Sequence, residues 1–232
     1  CGAAPASLEI MRAYWKKGVR FCNGYGMTEV GPGVLAMPIN SMSVKDIEEK
    51  RLSVGKPMVY VKLRIVNEKG EDVPKGEKGE LLIRSAAMFS GYWGDPKETE
   101  LALQNGWMHS GDIAQQDEEG YYYIVGRKKN MFISHGENIY PVEIENIMKE
   151  YPGIHEVCVI GVPDKRKGEV GKAIVVLKEG SKATAEDIKE YCSKNLAKIK
   201  QPKYVEIVEE IPRNSVGKVL MSKVHELYGN VD

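Results

Sequence analysis

The sequence predicts a chain of α/β class in two parts, and three observations carry that expectation. Residues 53–93 hold the strand-forming runs "YVKLRIV" and "GELLIRS", separated by "NEKGEDVPKGEKG", which is dense in turn residues. That pattern is expected of a small antiparallel β-subdomain. After Asn130 the pattern becomes mixed, with short apolar strands alternating with segments of helical period. Between the two lies "GRKKN" (126–130), a basic stretch where composition changes. The expected boundaries are therefore 1–128, comprising an α/β piece (1–52) and the β-subdomain (53–128), and a small α+β domain at 129–232.

The elements follow in order. Residues 7–17, "SLEIMRAYWKK", place Leu8, Met11 and Trp15 at helical spacing behind Ser7 as N-cap, and Gly18 stops the helix. "VRFCNGYG" reads as a short strand running into a glycine-rich loop. Asp95 opens a short helix as its N-cap, with Pro96 at the first position. In the second part, "YPVEIENIMKEYPG" puts Ile144, Ile147 and Met148 on one helical face and ends in Pro-Gly. "VCVIGV" and "KAIVVLK" are short apolar strands. Thr184 and Asp187 form a capping-box variant before "AEDIKEYCSKNLA". "YVEIVEEI" is a further strand, "PRNSVGK" a flexible loop, and the chain closes on an amphipathic helix.

Bulk properties exclude several classes. Lys plus Arg and Asp plus Glu both number 33, so no net charge draws in nucleic acid or an anionic membrane, and any phosphate site is local. No apolar run approaches the roughly 20 residues of a membrane span. The four cysteines, at 1, 22, 158 and 192, form no CxxC pair, which points to a reducing, cytoplasmic location without disulfides. His109, His135, His155 and His225 lack metal-ligand spacing and are expected to be structural or exposed. No Gly-x-Ser-x-Gly elbow is present, against a serine hydrolase.

Four short stretches carry chemistry. In "NGYGMTE" (23–29) glycines flank Tyr25, a ring suited to stacking, while Thr28 can donate to a phosphate and Glu29 is a hard oxygen ligand for magnesium. In "GWMHSGD" (106–112), which ends in a Gly-Asp turn, Asp112 can accept from a ribose diol. Arg127 can donate to the same diol with its fixed fork. Lys218, after "PRNSVG", can place a point charge on a phosphate–carboxylate system. No Gly-Lys pair satisfies the Walker spacing. Taken singly, each stretch has an ordinary reading: a glycine-rich turn, an Asx-turn, a solvated hairpin charge, a surface lysine.

Together, and in this order, "YGMTE", "SGD", "GRKKNMFISHGENIYPVEIE" and "PRNSVGK" resemble the adenylate-forming enzymes, specifically acyl-CoA synthetases of the fatty-acid and aryl-acid type. The resemblance covers essentially the whole chain. It implies that ATP and a carboxylic acid give an acyl-adenylate and pyrophosphate, and that the CoA thiol then displaces AMP. By motif, Tyr25 would stack on adenine, Asn23 and the adjoining Gly24 would contact the nucleotide, Thr28 would hold the α-phosphate and Glu29 would bind Mg2+. Asp112 and Arg127 would grip the ribose. Lys218 would bridge the acid and the α-phosphate, with Thr28 and Glu29 as its catalytic companions. Gly136 in "SHGEN" would line the path of the pantetheine arm, although His135 stands where glycine is common. Lys129, two after the ribose-binding arginine, would be the hinge about which a mobile C-terminal domain rotates between half-reactions.

The resemblance also implies departures. Cys1 to Ser7 matches a family segment near the acyl pocket, with Cys1 in place of the usual glycine. The family's phosphate-grasping loop, rich in Ser, Thr and Gly, is absent, as is most of the large nucleotide-binding domain. The expectation is a C-terminal part of a longer synthetase, inactive alone, whose partners are its carboxylic acid, ATP, CoA and the missing N-terminal domain. The expected acid is a long- or medium-chain fatty acid. An aryl-acid ligase, a carrier-protein-loading enzyme and a non-catalytic binding module are the alternatives.

Overall fold

In the computed structural model, residues 2, 6, 8–215 and 217–231 are described. Ser7 and most of the Cys1–Ser7 segment lie outside them. The chain divides into two compact units, Cys1–Val125 and Gly126–Asp232.

The first unit opens with α1 (Leu8–Trp15), whose Met11 and Trp15 are buried at the predicted spacing. The following "VRFC" is not a strand. Trp15 Nε1 donates to the Phe21 carbonyl at 2.7 Å, and the Tyr14 and Phe21 rings stack at 4.9 Å, folding this stretch back onto the helix. The strand lies instead in the expected glycine loop, as β1 (Gly24–Met27), paired antiparallel with β2 (Gly31–Ala36). Gly26 makes that pairing possible: a Cβ there would stand 2.2 Å from the Pro32 carbonyl oxygen. Gly26→Ala is therefore expected to cost about 3 kcal/mol, the upper end for overpacking, read as a drop in the urea midpoint.

α2 (Val44–Glu49) follows, closed by a Ser43–Asp46 capping box, and β3 (Lys56–Pro57) completes the first sheet beside β2. The second sheet contains β4 (Lys62–Val66), β5 (Lys78–Arg84), β6 (Leu103–Gln104), β7 (Trp107–Gln116) and β8 (Tyr122–Arg127), in the order β4-β5-β7-β6 with β8 also on β7. Between β5 and β6, α3 (Pro96–Ala102) starts as predicted, with Asp95 accepting from the Glu98 N–H at 3.0 Å. Leu81, Ile83, Met108 and Ala114 pack with Val34 and Leu35 in one core.

A chain reversal between β8 and β9 would have made "GRKKN" a hairpin. It is not one: β8 pairs with β7, whereas β9 (Phe132–Ser134) belongs to another sheet. Lys128–Asn130 form a single 3-10 turn, with Met131 N–H donating to the Arg127 carbonyl at 3.2 Å. A segment that hands the chain from one sheet to another has no need of the tight Asn-Gly geometry of a hairpin.

The second unit continues with β10 (Glu137–Ile139), α4 (Pro141–Met148), β11 (Ile154–Asp164), β12 (Gly168–Leu177), α5 (Ala185–Asn195), β13 (Tyr204–Val208) and α6 (Met221–Tyr228). Its sheet runs β10-β9-β12-β11, with β13 parallel to β12 after the α5 crossover. The apolar runs of β11 and β12 are explained by burial on both faces. Val157, Val159, Ala173 and Val175 meet Ile144, Met148 and Ile188 of the two helices on one side. Cys158, Ile160 and Ile174 meet Val224 of α6 on the other. The Thr184–Asp187 capping box is present as predicted.

Glu145 of α4 accepts from the Val159 N–H of edge strand β11 at 2.9 Å, covering part of an open sheet edge. Burial pushes its carboxyl above the usual range, opposed by Lys149 and the Val159 bond and reinforced by Glu156. A raised carboxyl disfavours the folded state as pH climbs from the ordinary carboxylate value through the folded one. Glu145→Gln is thus expected to be the more stable protein at pH 7. The difference should fade below the ordinary carboxylate range, where the wild-type side chain is protonated in both states. Denaturation midpoints of the two proteins across pH 3–8 check this.

Candidate active site

The first unit holds most of the candidate nucleotide residues. Tyr25 projects from β1 and its hydroxyl donates to Asp112 Oδ2 at 2.5 Å, across 87 residues of sequence. Asp112 is 2% exposed. "SGD" is not a turn but lies within β7, where the register against β5 jumps between the Leu82–His109 and Glu80–Ile113 pairs. Gly111 takes a φ of +67° there, and such a bulge re-aims the next side chain. Ser110 braces it: its hydroxyl donates to the Leu81 carbonyl at 2.6 Å and accepts from the Asp112 N–H at 3.1 Å.

Asn23 is buried, and both ends of its amide meet backbone: Nδ2 donates to the Arg51 carbonyl at 3.0 Å, and Oδ1 accepts from Ala6 N–H at 3.3 Å. Its side chain anchors the approach to β1. Gly24 pairs with Ala36, so it sits in a strand ladder rather than a loop. Thr28 is exposed in the turn joining β1 and β2. Glu29, in the same turn, accepts from the Tyr92 hydroxyl at 3.0 Å, and its carbonyl accepts from Phe89 N–H at 2.8 Å. Burial, helped by Glu29, raises the Tyr92 phenol above its ordinary value. Among the described residues no group of three or more His, Cys, Asp or Glu could hold a metal by itself. A single half-buried carboxylate fits magnesium's habit of taking one or two protein carboxylates and filling its shell with phosphates and water.

The second unit carries the other candidates on four separate elements. Arg127 is exposed at the end of β8, and Lys129 is exposed in the 3-10 turn. Gly136 and His135 are the two central residues of the β9–β10 hairpin, at φ +81° and +52°, the signature of a primed turn. Among the described residues other than its chain neighbours, no atom lies within 4 Å of where a Gly136 Cβ would stand, so glycine serves the turn and leaves open space above it. Lys218 is exposed, and hydrogen bonds tie the described residues of its loop together. Asn214 Oδ1 accepts from Lys218 N–H at 2.8 Å, Asn214 N–H donates to the Lys218 carbonyl at 2.9 Å, and Gly217 N–H donates to the Asn214 carbonyl at 2.9 Å. Arg213 adds a bond to the Gly217 carbonyl and an ion pair with Glu156. A hydrogen-bonded base thus presents an exposed side chain.

Sequence reasoning missed Tyr92, Ser110 and Asn214. Asparagine three residues before a Gly-Lys pair is a turn signal that points to Asn214; nothing local marks Tyr92. Cys22, Cys158 and Cys192 are in no disulfide among the described residues, and burial pushes Cys158 up to about 12 and Cys192 to about 11, so neither of these two is a ready nucleophile. No helix among the described residues is long and apolar enough to cross a membrane.

Known proteins extend this picture. Residues 1–93 match the AMP-binding enzyme family model and residues 143–218 the AMP-binding enzyme C-terminal domain. A feruloyl-CoA synthase from Amycolatopsis is 42% identical over 99% of the chain and 46% of its own length. A long-chain-fatty-acid–CoA ligase from Escherichia coli is 38% identical over 97% of the chain and 39% of its own. Among solved structures, ATP-bound MatB from Rhodopseudomonas palustris superposes with a TM-score of 0.88 at 33% identity, over 99% of this chain and 45% of that one. The o-succinylbenzoate CoA synthetase of Bacillus subtilis, with its acyl-adenylate, gives 0.85 at 31% over 96% and 44%. The chain spans less than half the length of the curated relatives it matches. With both family models matched in order and acyl-CoA ligases aligned along nearly all of it, the chain belongs to the adenylate-forming AMP-binding enzyme family.

Proposed function

We propose that this chain supplies the adenylate-binding and domain-alternating part of an ATP-dependent carboxylic acid–CoA ligase. One observation carries the reading. Tyr25 and Asp112, assigned separately to adenine and ribose, come together at 2.5 Å in the fold. In the first half-reaction a carboxylate oxygen attacks the α-phosphorus and pyrophosphate leaves. Tyr25 stacks the adenine, Asp112 and Arg127 hold the ribose hydroxyls, and Asn23 and Gly24 shape the strand beneath. Thr28 donates to the α-phosphate, and Lys218 draws the two anions together as charge builds on the phosphoryl oxygens. Glu29 would hold Mg2+, which screens the phosphate charge when bound. In the second half-reaction the CoA sulfur attacks the acyl carbonyl and AMP leaves, with Gly136 beside the pantetheine arm and Lys129 as the hinge between 1–128 and 129–232.

The acid we propose is one with an apolar body, a long- or medium-chain fatty acid first. An aryl acid of the feruloyl kind is the second reading, favoured by the 42% identity to feruloyl-CoA synthase against 38% for the fatty-acid ligase. The test is the full-length enzyme with ATP, CoA and a panel of fatty and aromatic acids. Acid-dependent release of AMP and pyrophosphate with acyl-CoA is expected; ADP release, or no dependence on acid, overturns the reading. Transfer to a carrier-protein thiol in preference to CoA would redirect it. The 232-residue chain alone, without a phosphate-grasping loop, is expected to give no acid-dependent pyrophosphate exchange.

A further inference from the structure

Glu29 stands in the turn between β1 and β2, and its main chain is well held. Val30 N–H donates to the Met27 carbonyl at 3.1 Å, and the buried Val30 side chain anchors the turn. The Glu29 carbonyl accepts from Phe89 N–H at 2.8 Å. A glutamate side chain still keeps its own torsions, the last of them broad and shallow. Here its carboxylate is met by the Tyr92 hydroxyl, which donates to Oε1 at 3.0 Å from 63 residues away.

Tyr92 is itself set in place by its surroundings. Its N–H donates to Thr99 Oγ1 of α3 at 2.8 Å, and its carbonyl accepts from Asp95 N–H at 3.3 Å. Its ring meets Phe89 edge-on, with centroids 4.8 Å apart. Gly91, just before it, takes a φ of +145°, and a Cβ there would stand 2.7 Å from Thr99 Cγ2. Residues 89–92 are thus fitted against α3 at one end and tied to Glu29 twice, once at its main chain and once at its side chain.

We infer that Tyr92 is a positioning residue for the cation site: its hydroxyl holds one oxygen of the Glu29 carboxylate and leaves the other to magnesium. This rests on the reading of Glu29 as the Mg2+ carboxylate. An ionised carboxylate offers about four acceptor sites, so one phenol donor does not exhaust it. Magnesium takes few protein carboxylates and demands near-ideal octahedral geometry, which makes it sensitive to where its carboxylate points. A side chain ordered before the nucleotide arrives loses less freedom on binding. A bond that merely pinned a surface loop would serve stability and leave the cation's contribution untouched.

The experiment titrates the full-length enzyme calorimetrically with α,β-methylene-ATP, whose α–β bridge resists cleavage, in saturating Mg2+ and again in EDTA. AMP in EDTA is the metal-free control. The ratio of the two analogue Kd values measures what the cation adds. Tyr92→Phe keeps the ring and its contact with Phe89. It is expected to lower that ratio about fivefold, the scale of one hydrogen bond open to competing water, while the Kd for AMP stays at the wild-type value. Glu29→Gln should remove most of the Mg2+ enhancement, and adding Tyr92→Phe to it should remove no more, the non-additivity expected of one unit. If Glu29→Gln keeps the full enhancement, the magnesium reading fails and this inference with it. If Glu29→Gln loses it while Tyr92→Phe keeps it, only the inference falls. Equal weakening of AMP and of the analogue with and without Mg2+ in Tyr92→Phe also overturns it, because that is the mark of altered folding. Each enhancement is a ratio within one preparation, so partial misfolding does not blur it.

Discussion

Replacing Lys218 with alanine in the full-length enzyme is expected to slow acyl-adenylate formation by roughly 10²–10³, the usual loss of one preorganised donor at a charge-developing site. Thioester formation from supplied acyl-adenylate should stay near the wild-type rate. The physical basis is the contrast between the lysine's pinned backbone, held at both its N–H and its carbonyl by Asn214, and its exposed side chain. The base fixes where the side chain starts, so only the side chain itself remains to be ordered when the two anions arrive. Equal losses in the two half-reactions would contradict the assignment. Acetylation removes the same charge and should reproduce the same asymmetry.

The second large effect is expected at the joint. Proline holds φ near −65° and lacks an N–H, and it pushes the residue before it towards extended backbone. Lys129→Pro therefore narrows the backbone settings open to Lys128 and Lys129 without altering a proposed ligand. The bond that closes the turn, from Met131 N–H to the Arg127 carbonyl, does not use the Lys129 N–H. The variant is expected to form acyl-adenylate and then fail to pass the acyl group to CoA, because the second step demands another backbone angle. Separate half-reaction assays, on protein whose melting temperature is unchanged, check this. Normal thioester formation would leave Lys129 an ordinary surface lysine.

The legible parts of the fold are those written in local chemistry. Asp95 and Thr184 were readable as caps because a side-chain oxygen three residues before a free N–H needs no tertiary partner. The strands around Val159 and Ala173 were readable because burial on both faces leaves an unbroken apolar run. What was hidden depends on distant pairing. "NGYG" looks like a loop until Pro32 is seen to need the space above Gly26. "SGD" looks like a turn until its register against β5 reveals a bulge. A glycine inside a strand-like run, "WMHSGDIA", was the available hint. The site was legible as residue types in order. The contact between Tyr25 and Asp112 was not, since no local rule joins positions so far apart.

The turn at Lys128–Asn130 has a consequence for how such chains diversify. Every strand before it finds its ladder partner before it, and β9 onward pair only among themselves. A genetic crossover placed within those three codons cuts no strand ladder among the described residues. It exchanges the whole sheet of the second unit, with its lysine loop and hairpin, for a relative's. Grafting at this point should therefore yield hybrids that fold as readily as their parents, whereas a crossover within β7 or β12 must match two strand registers at once. The joint proposed as a hinge is also the cheapest seam for recombination.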